Sequence, residues 1–324
     1  VFGKADGFGS NIDLSSLDGT NGFRVLGAAP GDGSGGSVAS AGDINGDGFA
    51  DLIVGASYAD PNGSSSGASY VVFGKAGGFH ANVRLSSLNG ANGFKLSGVA
   101  ANDYSGFSVA SAGDVNGDGF ADLIVGADEA DPHGASSGAS YVVFGKAGGF
   151  ASNLDLSSLD GSNGFKLSGT AAGDYDGASV ASAGDVNGDG FADIIVSSRS
   201  ADPNGNYSGA SYVVFGKASG FDANIDLSSL DGSNGFKLSG VAPFDFSGYS
   251  VASAGDLNGD GFADLIIGAP GANGNYSGAS YVVFGKAGGF ASNIDLSSLD
   301  GTNGFKISGT TANDQSGWSV ASAG

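Results

Sequence analysis

The chain has no cysteine and no methionine, only six prolines, one tryptophan and a single glutamate, Glu129. Without cysteine, no disulfide holds the fold together. With so little proline and 63 glycines in 324 residues, tight turns built from Gly, Ser, Asn and Asp are expected and long helices are not. Basic residues are scarce: 12 Lys and Arg stand against 33 Asp and Glu, a formal charge of −21. No basic patch is available to neutralise phosphates, which excludes a nucleic-acid partner and disfavours anionic membranes. No run of 18 apolar residues exists, so no membrane insertion by a helix is expected.

What is abundant is repetition. Val-Phe-Gly-Lys starts at Val1, Val72, Val143, Val214 and Val283, at spacings of 71, 71, 71 and 69 residues. A period this long, with several strands in each unit, points to propeller blades or another repeat architecture. The reading is a single array over 1–324, with units 1–71, 72–142, 143–213 and 214–282 and a partial unit 283–324. In one set, residues 107–112, 123–125, 139–144 and 165–167 are apolar segments. Four short antiparallel strands per unit make one blade of an all-β propeller, with roughly five blades of which one is incomplete. Residues 131–138 read as a turn, and 153–161 as a blade-edge excursion whose leucines pack back onto the sheet. Aromatic residues at fixed places, such as Phe120, Phe144 and Phe165, are expected to fill the space between neighbouring sheets, while Trp318, at a position held elsewhere by Gly36, is expected to be partly exposed.

The array is organised around Asp43-Ile44-Asn45-Gly46-Asp47-Gly48-Phe49-Ala50-Asp51, which returns from Asp114, Asp185 and Asp256. Side-chain oxygens at positions 1, 3, 5 and 9 of a loop bent by two glycines can converge on one point, and the carbonyl of position 7 adds a fifth oxygen. Three carboxylates within nine residues repel one another unless a cation is present. Four Ca2+ sites are therefore expected: Asp43, Asn45, Asp47, Phe49 (carbonyl) and Asp51; Asp114, Asn116, Asp118, Phe120 (carbonyl) and Asp122; Asp185, Asn187, Asp189, Phe191 (carbonyl) and Asp193; and Asp256, Asn258, Asp260, Phe262 (carbonyl) and Asp264. The flanks, Ser37–Ala41 before and Leu52-Ile53-Val54 after, are strand-like, so each site is a loop joining two strands.

The strand counts are unequal. The segment before the metal loop occurs five times, ending with 319–323; the third and fourth strands also occur five times, starting at Val1-Phe2 and Phe23-Arg24; the strand after the metal loop occurs four times. The chain also opens without Met inside a repeat. The expectation is a processed chain or a segment of something longer, continuing beyond Gly324 or before Val1; otherwise a second copy supplies the missing strand by β-augmentation.

Asp256-Leu257-Asn258-Gly259-Asp260-Gly261-Phe262-Ala263-Asp264 followed by Gly268-Ala269-Pro270 resembles the FG-GAP repeat, the blade of the integrin α-subunit β-propeller and of many bacterial surface proteins. The resemblance covers essentially the whole chain. It implies a propeller with calcium in the loop between the first two strands of each blade. Gly-Ala-Pro is complete only once, its counterparts being Gly55-Ala56-Ser57, Gly126-Ala127-Asp128 and Ser197-Ser198-Arg199, and Arg-Gly-Asp is absent. The near-identity of the units looks more like a bacterial or environmental repeat protein than an animal receptor.

No constellation for catalysis stands out. His80 and His133 lie at positions that other units fill with Gly, Ala, Asp or Asn, and read as exposed loop residues; no serine has a repeated histidine partner. The chain is read as a non-enzyme. Asn62-Gly63-Ser64, Asn206-Tyr207-Ser208 and Asn275-Tyr276-Ser277 are acceptor sequons in the same turn of three units, so Asn62, Asn206 and Asn275 are candidate glycosylation sites. The expected function is a calcium-stabilised extracellular or cell-surface structural or adhesive protein. Its expected partners are further copies of itself, assembled head to tail into filaments or a surface layer, or an extracellular protein or glycan. The alternatives are a lectin-like binding propeller and the accessory domain of an extracellular enzyme.

Overall fold

The computed structural model describes residues 1–322. Sixteen of its strands form four blades, each an antiparallel meander. Blade I is Val38–Gly42, Asp51–Ala56, Ala68–Val72 and Gly93–Ser97. Blade II is Ser108–Gly113, Asp122–Ala127, Ala139–Val143 and Gly164–Ser168. Blade III is Asp176–Gly184, Asp193–Ser198, Ala210–Val214 and Gly235–Ser239. Blade IV is Ser250–Gly255, Asp264–Ala269, Ala279–Val283 and Gly304–Ser308. This is a β-propeller-like array, as the four apolar segments per unit predict.

The second and third strands are apolar at nearly every position because both faces are covered. Successive side chains point to opposite faces. Ile53, Val71, Phe94 and Leu96 of blade I therefore share one core with Leu123, Val125, Tyr141 and Val143 of blade II. The alternate residues Ile124, Val142, Phe165 and Leu167 of blade II pack with Ile194, Val196, Tyr212 and Val214 of blade III. One hydrogen bond is repeated along the array: the N–H groups of Val109, Val180 and Val251, in the first strands of blades II–IV, and of Val320 after blade IV donate to Ser37, Ser108, Ser179 and Ser250 Oγ at 3.1–3.2 Å.

The excursion between the third and fourth strands does more than lie back on its own sheet. Asn153–Asp155 is a three-residue strand that pairs in parallel with Lys95, Leu96 and Ser97, the outer strand of the preceding blade. Asn224–Asp226 and Asn293–Asp295 do the same to blades II and III, and Asn82–Arg84 does so to Arg24–Leu26. A 3₁₀ turn follows each, and its leucine (Leu85, Leu156, Leu227, Leu296) is buried. Every unit thus clasps the one before it.

The expected fifth copies differ. Val1-Phe2 and residues 319–322 are not in strands, and Ala323 lies outside the described residues. The reason is pairing: first and third strands are both hydrogen-bonded to the second strand of their blade, and that strand occurs four times. Arg24–Leu26 is a strand, held only by its clasp. Trp318 is 52% exposed, as expected, and packs on Tyr249 at 4.4 Å between ring centroids.

Candidate metal-binding loops

Each loop sits between the first and second strands of its blade, entered through a register shift at Ser40/Gly42 and its counterparts. Gly42, at φ 70°, is required there, because a Cβ would lie 2.4 Å from Ala121 Cβ of the next blade. Inside the loop, the first aspartate organises the backbone. Asp43 Oδ1 accepts from the N–H groups of Gly46 (2.8 Å) and Asp47 (3.1 Å), and Oδ2 from Gly48 N–H (2.8 Å). Asn45 Oδ1 accepts from Asp47 N–H at 2.9 Å, its Nδ2 donates to Asp47 Oδ2 at 3.0 Å, and Asp47 Oδ1 accepts from Phe49 N–H at 2.9 Å. The same set recurs around Asp114, Asp185 and Asp256.

The ninth residue is placed differently from the other donors. Asp51 is 1% exposed, with Oδ1 accepting from Gly74 N–H at 2.7 Å and Oδ2 from Ile44 N–H at 3.1 Å. Asp122, Asp193 and Asp264 make the same two bonds, to Gly145 and Val115, Gly216 and Val186, and Gly285 and Leu257. Each ties the loop to the Val-Phe-Gly-Lys turn that ends the third strand. Burial pushes Asp51 up to about 6 and Asp122 and Asp193 up to about 7, and the charges of the first and fifth loop residues push in the same direction.

The structure therefore gathers Asp43, Asn45 and Asp47 by mutual hydrogen bonds and turns Asp51 onto backbone amides. Among the described residues, no three carboxylate or histidine side chains converge into a ligand cluster by themselves. The donor set nevertheless fits a divalent cation: every donor is a hard oxygen, as Ca2+ or Mg2+ prefers. The ninth carboxylate is buried close enough to two others to feel their charge, and a cation would relieve that repulsion.

Other predicted residues fall outside this site. Asn62 has both amide hydrogens engaged, Nδ2 donating to Gly98 O (2.7 Å) and Asp155 Oδ2 (2.8 Å). Its equivalents by position are His133, Asn204, which bonds Gly240 O and Asp295 Oδ2, and Asn273, which bonds Gly278 O, while Asn206 and Asn275 lie two residues further on and are exposed. His133 is an exposed loop residue, as read, but it is also bonded: Nδ1 lies 2.6 Å from Gly169 O and Nε2 3.4 Å from Asp226 Oδ2, at the blade II clasp. His80 is exposed. A further feature of the broken repeat is Arg199, whose guanidinium lies 3.5 Å from buried Asp128 and within 6.0 Å of the rings of Phe107, Tyr175 and Tyr249. Its signal in the sequence is that Ser57, Asp128, Arg199 and Pro270 share one position.

Four-stranded blades with an aspartate-rich loop after each first strand define a propeller-like repeat domain. The FG-GAP repeat family matches residues 34–72, 105–143, 177–214 and 247–283, each covering the metal loop and ending with the third strand. The chain is an FG-GAP repeat protein. The clasps lie outside the matched segments. Integrin alpha pat-2 of Caenorhabditis elegans is 31% identical over 229 residues, covering 66% of this chain and 17% of that protein. Integrin alpha-V of Gallus gallus is 28% identical over 269 residues, 81% of this chain and 22% of that protein. A phosphatidylinositol-glycan-specific phospholipase D of Dictyostelium discoideum is 26% identical over 298 residues, 86% of this chain and 29% of that protein. The chain thus spans less than a third of the length of each of these relatives.

Proposed function

We propose that the chain is a calcium-stabilised, non-enzymatic adhesive repeat domain that works outside the cell or at its surface. The observation that carries this reading is the fourfold recurrence of one oxygen donor set in one hydrogen-bonded loop geometry. Asp43, Asn45, Asp47, the carbonyl of Phe49 and Asp51, with their counterparts, would hold the ions, and positive charge there would fix two strands of each blade. Loop sites of this kind suit the millimolar free calcium outside cells. No helix among the described residues is long and apolar enough to cross a membrane. The proposed partners are extracellular proteins, glycans or further copies of the chain.

Thermal unfolding with calcium and with chelator, beside equilibrium dialysis, tests it. At calcium a hundredfold above Kd each filled site adds about 2.7 kcal/mol, so the expected outcome is four bound ions and a large fall in Tm on chelation. Equal melting curves and no bound calcium would sink the reading. Electron microscopy under the same two conditions shows whether copies assemble.

A second reading, binding of glycans, is favoured by a recurring cleft at the blade edge. It measures about 520 Å³ beside Lys217, Phe221 and Asn224 and about 420 Å³ beside Lys75, Phe79 and Asn82. In both the lysine lies over the phenylalanine ring, at 5.1 and 5.2 Å. A glycan array probed with the calcium-loaded chain tests it, and silence there discards it.

A further inference from the structure

The metal loops are not separate from one another. Each of the first three is covered by the next. Ala121 N–H donates to the carbonyl of Asp43 at 3.1 Å, Ala192 N–H to that of Asp114 at 3.0 Å, and Ala263 N–H to that of Asp185 at 2.9 Å. From the same later blade, Lys146, Lys217 and Lys286 N–H donate to the carbonyls of Ile44, Val115 and Val186, all at 2.9 Å. Between these bonds sits a ring. A Cβ on Gly46 would lie 2.3 Å from the ring of Phe120, on Gly117 2.3 Å from Phe191, and on Gly188 2.3 Å from Phe262. Those glycines have φ of 74–76°, so the bend that turns the earlier loop also opens the seat for the later loop's phenylalanine.

The positions in contact are the ones a bound ion would fix. On the earlier loop they are residue 1, a carboxylate donor, residue 2, whose N–H the ninth carboxylate holds, and residue 4, the tip. On the later loop they are residue 7, whose carbonyl is the fifth oxygen, and residue 8. Moving residue 7 to or from its own ion therefore moves a ring seated on the neighbour's tip. A contact that is complete only when both loops are ordered gives each ion a differential affinity for the ordered state of the next loop, and that difference is a coupling free energy.

We propose that calcium uptake by these loops is coupled in series, with Phe120, Phe191 and Phe262 as the positioning residues that link each loop to the one before it. This rests on the calcium reading above. Coupling between sites commonly changes affinity by roughly 5- to 150-fold, so filling one loop raises the affinity of its neighbour by a factor in that range.

The test is calcium titration of the full, chelator-stripped chain by calorimetry, with bound calcium counted by equilibrium dialysis. The expected result is four ions taken up with a Hill slope above 1, and a slope of 1 in Phe120→Ala, Phe191→Ala and Phe262→Ala combined. Phe→Leu at the same places, which keeps an apolar knob on the glycine, is expected to retain part of the slope. Melting in chelator serves as the control, since a ring that only packs the fold would lower that Tm and leave the slope alone. Four ions bound by the native chain with a slope of 1 would overturn the coupling and leave the calcium reading standing. No bound calcium would overturn both. The native titration alone decides the matter if the alanine variant does not fold.

Discussion

Asp118 and Asp122 stand four residues apart in one loop, yet the structure gives them different work. Asp118 is exposed and bonds only within the loop, while Asp122 is fully buried and braces the loop against the end of the third strand through two backbone N–H groups. Asp118→Asn is expected to remove one calcium equivalent and to lower Tm only with calcium present. Asp122→Ala is expected to destabilise the chain in chelator as well, by roughly 2 kcal/mol or more, because it leaves two buried donors unpaired. Denaturant melts with and without calcium separate the two. A second buried carboxylate, Asp176, belongs to no loop and occupies a position that is serine in other units (Ser105, Ser247, Ser316). It accepts from Ser198 Oγ and Thr170 N–H, and burial pushes it up to about 7 from the ordinary 3.8. A carboxyl whose folded value is raised binds more protons folded than unfolded, so its contribution is complete below about pH 4 and is lost as pH rises through 7. Asp176→Asn is expected to remove that loss, so the variant gains Tm on the native chain between pH 4 and 8. Parallel melting curves across that range would refute the assignment.

At the level of elements, the clasp is the feature that distinguishes this array from a plain stack of blades. Its hydrophobic anchor is Leu156, 2% exposed in one core with Phe94 and Leu96 of the preceding blade. Leu14 occupies the same place in the motif but is 63% exposed. Leu156→Ala is therefore expected to cost roughly 2–5 kcal/mol and Leu14→Ala close to nothing, as read from denaturant midpoints. The clasp also marks where sequence reading stops. The blade strands were legible because β-branched runs recur on one period and because the metal loop fixes the turn between the first two. Asn153-Leu154-Asp155 carries no such signal: a three-residue segment has no alternation to read, and its partner, Lys95–Ser97, lies in the previous unit. The loops' donor list was legible from spacing. The brace made by Asp51 was not, because its partner Gly74 is distant in sequence and contributes only a backbone N–H. For the same reason the amide bonds of Asn62, read as a candidate glycan acceptor, were not foreseen: both its amide hydrogens go to Gly98 and to Asp155 of the next blade's clasp.

For the molecule as a whole, the governing quantity is charge. Against a net −21, the described residues hold one ion pair of fixed charges, Arg199–Asp128, and one histidine–carboxylate contact, His133–Asp226. Most basic side chains are used otherwise, as Lys146 over Phe150 and Lys286 over Phe290 show. Acidic self-repulsion is therefore opposed by little internal pairing and by no disulfide, and blade packing must outweigh most of it unless cations bind. Screening and binding act on different parts of this repulsion. Salt weakens the interaction of exposed charges more than a Debye length apart, about 8 Å at physiological ionic strength, whereas the carboxylates inside one loop are closer than that and partly buried. Two outcomes follow for thermal unfolding. In chelator, raising sodium chloride from low to molar concentration is expected to raise Tm without restoring its value in calcium. In calcium the same salt increase is expected to change Tm far less, since a bound Ca2+ would offset two of the three carboxylate charges in each of the four loops. If salt in chelator recovered the full calcium value, diffuse repulsion would suffice to explain the acid-rich loops, and specific ion sites would lose their support.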